Sequence, residues 1–179
     1  MKPESRPDAV DLAERWRDLA AGKIIPGWHW HELDDRGEVI MKPRPSGPFR
    51  ALTSAVATQL VNKLGTRVCC EVPVITNTFG VRVPTIVWAP PERWQGIELN
   101  EPLPFVPDLC VEVLDPKHVG HRTDLKIAAY LEGGAREVMV VEMSSGITYW
   151  DVRGERQFPA LGVELSLGQL SPCGVGGCL

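Results

Sequence analysis

The chain lacks the roughly 20 consecutive apolar residues that a membrane-spanning helix requires. Its first residues, Met1-Lys2-Pro3-Glu4-Ser5-Arg6, are not followed by an apolar signal segment. No membrane partner is expected, and a cytoplasmic location is. A basic surplus is also missing: 19 Lys and Arg stand against 23 Asp and Glu, a formal net charge of −4. That rules out a general affinity for polyanions, so any DNA binding has to be local and salt-sensitive. A disulfide framework is absent as well. The five cysteines, Cys69, Cys70, Cys110, Cys173 and Cys178, are odd in number, and adjacent Cys69 and Cys70 face opposite sides of a strand. This pattern suits a reducing compartment. The sequence contains neither an internal repeat nor a low-complexity block. What remains is an ordinary globular composition, 44% hydrophobic and 23% charged over 179 residues, long enough for one domain with a sound core.

Periodicity orders the chain. Residues 8–21 read as an amphipathic helix, capped by Asp8 and closed by Gly22. Residues 29–33 and 38–42 flank Asp34-Asp35-Arg36-Gly37 as a hairpin. Pro43-Arg44-Pro45-Ser46-Gly47-Pro48 is a rigid connector into a second helix over about 49–64, where Leu52, Val56, Leu60 and Leu64 recur every four residues. Residues 67–76 and 81–88 form two strands around Asn77-Thr78-Phe79-Gly80. A proline-rich loop then leads to a strand within 107–116, followed by a helix over 124–132 that Gly133-Gly134 stops. Residues 137–143 and 147–152 form a last strand pair. The order of elements predicts an α+β domain with one mixed central β-sheet flanked by helices. Residues 1–27 are expected to be an N-terminal helix and linker, 28–170 the domain, and 171–179 a loose tail.

The strand Pro107-Asp108-Leu109-Cys110-Val111-Glu112-Val113-Leu114-Asp115-Pro116 carries a carboxylate inside an apolar run. A buried charge is costly unless it is paired, hydrogen-bonded or bound to a metal. Lys126 lies on the next helix, where a strand-to-helix return can bring it to Glu112. Two readings stay open from the residues alone. One is an ion pair at a sheet edge. The other is phosphodiester hydrolysis, in which a carboxylate holds a divalent cation and a Lys orients the attacking water. Mg²⁺, or Mn²⁺ in its place, suits oxygen ligands.

Lys117, His118, His121 and Arg122 form a basic loop, either a phosphate contact or a solvated loop. In His29-Trp30-His31 the two histidines share a strand face, and a zinc site would need further ligands that cannot be placed. The six Trp residues are scattered and read as core or hairpin packing rather than a base-stacking platform. Cys110 reads as a small core residue.

Four segments resemble the Uma-two family of restriction-endonuclease-like proteins, within the PD-(D/E)XK nuclease superfamily. They are Glu32-Leu33-Asp34 through Glu38-Val39-Ile40-Met41-Lys42-Pro43, Glu71-Val72-Pro73-Val74-Ile75-Thr76, Val81-Arg82-Val83-Pro84-Thr85-Ile86-Val87-Trp88-Ala89, and the Glu112 strand with Lys126, Tyr130 and Gly134-Ala135-Arg136-Glu137-Val138. The resemblance implies a restriction-endonuclease-like fold and metal-dependent DNA hydrolysis. Glu112 would be a metal ligand, Lys126 the water-orienting cation and Glu71 a supporting carboxylate and second ligand. Where the family has Asp on the preceding strand, this chain has Thr85, a poor ligand for a hard cation. Where it has an acid four residues before the Lys, this chain has Arg122; Asp124 lies on a different helical face.

The expectation is a DNA endonuclease impaired at position 85, holding Mg²⁺ or Mn²⁺ weakly, touching DNA phosphates through Arg82, Lys117, His118 and Arg122, and forming a homodimer. The alternative is a catalytically inactive, nuclease-derived module that binds DNA or protein. A structural subunit dimerising through its hairpins is a third reading.

Overall fold

A computed structural model describes residues 7–25, 30–76, 78–115, 123–143 and 146–166. Lys117, His118, His121 and Arg122 lie outside the described residues, as do His29 and the 171–179 tail.

Helix α1 spans Ala9–Ala20; the Asp8 side chain accepts from the Val10 and Asp11 amides, and Asp11 returns a bond to the Asp8 amide. Strands β1 (His31–Leu33) and β2 (Val39–Met41) form the expected hairpin. Helix α2 runs over Gly47–Leu64, two residues longer than expected at its start. The Ser46 hydroxyl caps the Phe49 amide, and Pro48 tolerates the first turn because no donor is needed there.

Each of the next two expected strands is broken in two, giving β3 (Val68–Cys70), β4 (Val74–Thr76), β5 (Gly80–Arg82) and β6 (Ile86–Trp88). The first break falls at Glu71, whose φ of 53° leaves the extended region, and Pro73. The second falls at Val83-Pro84-Thr85. Both prolines lack the amide that a continuous ladder needs. After the 3-10 turn Pro91–Trp94 come β7 (Leu109–Leu114), α3 (Thr123–Glu132), β8 (Glu137–Glu142), β9 (Gly146–Asp151) and β10 (Gly154–Arg156).

The breaks divide the strands between two sheets. One is antiparallel, in the order β2-β1-β5-β4. The other is mixed, in the order β10-β9-β8-β7-β6-β3. The α+β class is therefore as expected, with the mixed sheet central, but β4 and β5 leave it to form a second sheet with the first hairpin. That sheet packs Leu33, Val81 and Val83 against Leu12, Trp16 and Leu19 of α1.

Strands β7 and β8 are parallel neighbours, a pairing that needs a crossover, and α3 supplies it. Alternation along β7 then fixes the site. Leu109, Val111 and Val113 pack against Leu52, Val56 and Leu60 of α2. Cys110 faces the opposite cluster with Tyr130 of α3, and Glu112 shares that face. Cys110 is fully buried there, as its apolar setting implied.

Candidate active site

Glu112 is 4% exposed, on the sheet face that α3 crosses. Lys126 and Tyr130 stand one turn apart on α3, so both side chains reach the same spot on β7. Lys126 Nζ donates to Glu112 Oε1 at 3.1 Å and Oε2 at 3.2 Å. The Tyr130 hydroxyl donates to Glu112 Oε1 at 2.6 Å.

A second carboxylate converges on the same ammonium. Glu32 of β1 is 2% exposed, and its Oε1 lies 2.9 Å from Lys126 Nζ. That oxygen also accepts from the Val83 amide at 3.1 Å and lies 3.5 Å from Lys42 Nζ. Arg82 Nη1 meets Oε2 at 3.2 Å. The sequence reading missed Glu32, Lys42 and the part played by Tyr130, although all three lie within the segments that carry the family resemblance.

The charges are strongly coupled. Burial alone would raise the Glu32 carboxyl, but Lys126 and Lys42 outweigh it and bring the pKa from 4.5 to about 2. Burial likewise works against the Lys126 ammonium, yet Glu112 and Glu32 hold its pKa above the usual lysine value. Burial lowers Lys42, and repulsion from Lys126 lowers it further. Burial pushes Tyr130 well above the ordinary tyrosine value, with the Glu112 charge adding to it, so Tyr130 remains a donor.

Thr85 is 5% exposed, and its Oγ1 accepts from the Val113 amide at 3.2 Å. The hydroxyl thus completes the β6–β7 ladder where Pro84 interrupts it. Thr85, Glu112, Lys126, Glu32, Lys42, Arg82 and Glu71 all line one cleft of about 630 Å³. Glu71 is exposed. Arg82 is 8% exposed and bound to Glu32, so its guanidinium is part of the cleft floor rather than a free surface contact. Among the described lining residues, six carboxylates face four Lys and Arg side chains, an excess of two negative charges.

Two carboxylates from different strands meeting at one point are the oxygen donors that a hard divalent ion takes. The hold is loose. Position 85 is neutral, Lys126 occupies the space between the two acids, and no three metal-ligating side chains converge among the described residues. No helix among the described residues is long and apolar enough to cross a membrane.

One solved structure with the same fold is described as a "putative nuclease belonging to DUF820" from Anabaena variabilis ATCC 29413. The alignment covers 78% of this chain and 88% of that one, at 19% identity and a TM-score of 0.65. No curated protein matches. A family model described as "Uma2: Putative restriction endonuclease" matches residues 6–170, nearly the whole chain. The fold, the Glu112–Lys126–Tyr130 arrangement and that match agree: the chain belongs to the Uma2 family of restriction-endonuclease-like proteins.

Proposed function

We propose that this chain is a DNA phosphodiesterase of the endonuclease type whose metal-dependent step is weakened by Thr85. The observation that carries the reading is the meeting of Glu112 and Glu32 on Lys126 Nζ at the floor of a cleft. When bound, Mg²⁺ or Mn²⁺ would polarise a phosphate oxygen and lower the pKa of a coordinated water. The residues of the chain do the rest. Glu112 and Glu32 would supply oxygen ligands, and Tyr130 and Arg82 fix the orientation of those carboxylates. Lys126 keeps its proton, so it serves as a fixed positive charge toward a phosphate or an attacking hydroxide, not as the base. Glu71 at the rim is a supporting carboxylate, and Lys117, His118 and Arg122 are phosphate contacts. A homodimer completes the proposal.

A second reading keeps the DNA and drops the chemistry: a nuclease-derived binding module. The Thr85 hydroxyl supports it, because that oxygen is committed to the Val113 amide and adds no charge for a cation.

Restoring the acid separates the two. Thr85→Asp is expected to raise Mn²⁺ affinity in calorimetric titration by about 10- to 100-fold, since an ionised oxygen replaces a neutral one. Mg²⁺- or Mn²⁺-dependent nicking of supercoiled plasmid should rise with it, and adding Glu112→Gln should remove the gain. DNA binding with no nicking in either the wild type or Thr85→Asp would establish the module instead. Robust wild-type cleavage that survives Glu112→Gln would place the chemistry elsewhere.

A further inference from the structure

Two ammonium groups reach the floor of the cleft, and their hydrogen bonds differ. An ammonium has three N–H donors. Lys126 spends its own on carboxylates: both oxygens of Glu112, at 3.1 and 3.2 Å, and Glu32 Oε1 at 2.9 Å. Its side chain is 12% exposed. Lys42 donates one bond, to the Val83 carbonyl at 3.1 Å. Its other polar contact among the described residues is Glu32 Oε1 at 3.5 Å, beyond an ordinary N–H···O bond. The Lys42 side chain is 27% exposed and lines the cleft.

Strand register puts Lys42 in this place. Its amide donates to the Trp30 carbonyl at 2.8 Å, which continues the β1–β2 ladder past Met41. Lys42 therefore shares the face of Ile40, which stands opposite Glu32. The Val83 carbonyl lies in the break between β5 and β6 and tethers the ammonium there. Two N–H groups of Lys42 are left over. They belong to a floor where Lys42, Lys126 and Arg82 outnumber Glu32 and Glu112 by one charge. The rest of the lining is acidic, four carboxylates against Arg44, so the cleft exerts no general pull on DNA. A phosphate held in it needs direct, charge-assisted hydrogen bonds at the floor.

We propose that Lys42 is the residue that holds a DNA phosphate in this cleft, donating its spare N–H groups to a phosphate oxygen without the help of a metal ion. Lys126 acts on the same phosphate only as a charge, because its hydrogen bonds are taken up in keeping Glu112 and Glu32 in place. This role for Lys42 rests on reading the cleft as a DNA site and adds which cation makes the contact. The family resemblance directs attention to Lys126; the count of free donors selects Lys42.

The test is fluorescence anisotropy of a labelled duplex of about 20 base pairs, titrated in EDTA over a series of salt concentrations. Losing one phosphate contact lowers the slope of log affinity against log salt by about 0.9. Lys42→Gln and Lys42→Met, both uncharged, should show that fall and bind about tenfold more weakly at low salt. Lys42→Arg should restore both quantities, because a guanidinium also donates to phosphate. A lysine that merely tethers β2 to Val83 would change Tm and leave the slope alone. A folded neutral variant with the wild-type slope, or wild-type binding that appears only with Mn²⁺, would overturn the proposal and leave the nuclease reading standing. No duplex binding in either EDTA or Mn²⁺ would overturn both.

Discussion

Replacing Glu32 by Gln isolates a buried electrostatic coupling at the floor of the cleft. The carboxylate is 2% exposed and is held by Lys126, Lys42, Arg82 and the Val83 amide. Its folded pKa, about 2, lies below the ordinary 4.5. A depressed carboxyl binds more protons when unfolded, so its contribution to stability is full above pH 4.5 and is lost as the pH falls toward 2. Each tenfold change in proton affinity is worth about 1.4 kcal/mol, so the whole contribution is on the order of 3 kcal/mol. Between pH 6 and pH 3.5 the linkage relation gives a loss of about 1.4 kcal/mol from this group alone. Glu32→Gln keeps the shape and an acceptor for Val83 but cannot titrate. Urea unfolding of both proteins across that range should therefore show the wild-type advantage shrinking by about 1.4 kcal/mol toward pH 3.5. Parallel pH profiles, with a constant difference between the two proteins, would refute the argument that Lys126 and Lys42 hold Glu32 ionised.

Two further substitutions test the scaffold around the site. Tyr130→Phe keeps a fully buried ring and removes the 2.6 Å donor to Glu112, leaving a buried charge short of a partner; a loss of about 2 kcal/mol in urea unfolding is expected. Gly80 has φ 80°, and a Cβ there would run into the carbonyl of Asp34. Gly80→Ala should cost at least about 2 kcal/mol, read as a fall in Tm, and near-neutral behaviour would mean that the β1–β5 approach is looser than described.

Local signals in the sequence reached the helices, the first hairpin and the carboxylate on β7, because each depends on neighbours within a few residues. Asp8 and Ser46 cap what their spacing says they cap, and Glu112 stands out because an apolar run surrounds it. The division into two sheets did not show in the same way. Residues 67–76 and 81–88 have strand composition throughout, and the handover depends on where Pro73 and Pro84 interrupt ladders whose partners are far away in sequence. The pairing of Arg82 with Glu32 was out of reach for the same reason. Nothing near it in sequence reveals Glu32, fifty residues earlier, which reaches it only because β1 and β5 are adjacent in the second sheet.

Glu32 had a legible signal, though a weaker one than Glu112. It sits between His31 and Leu33 on a three-residue strand, and a hairpin strand with one wet face can carry a charge at no cost. Only the covering of both faces, by α1 on one side and by α3 with Arg82 on the other, makes the charge expensive and therefore informative. The same burial bears on what Thr85 means. With two acids already shared among Lys126, Lys42 and Arg82, those five floor groups carry one more positive charge than negative, and the rest of the lining, four carboxylates against Arg44, carries a three-charge negative excess. A neutral residue at 85 thus leaves the floor inviting to a phosphate and less inviting to a dication, whereas an aspartate there would bring the five groups and position 85 to neutrality. Metal affinity and DNA binding therefore have to be measured separately for any variant of position 85.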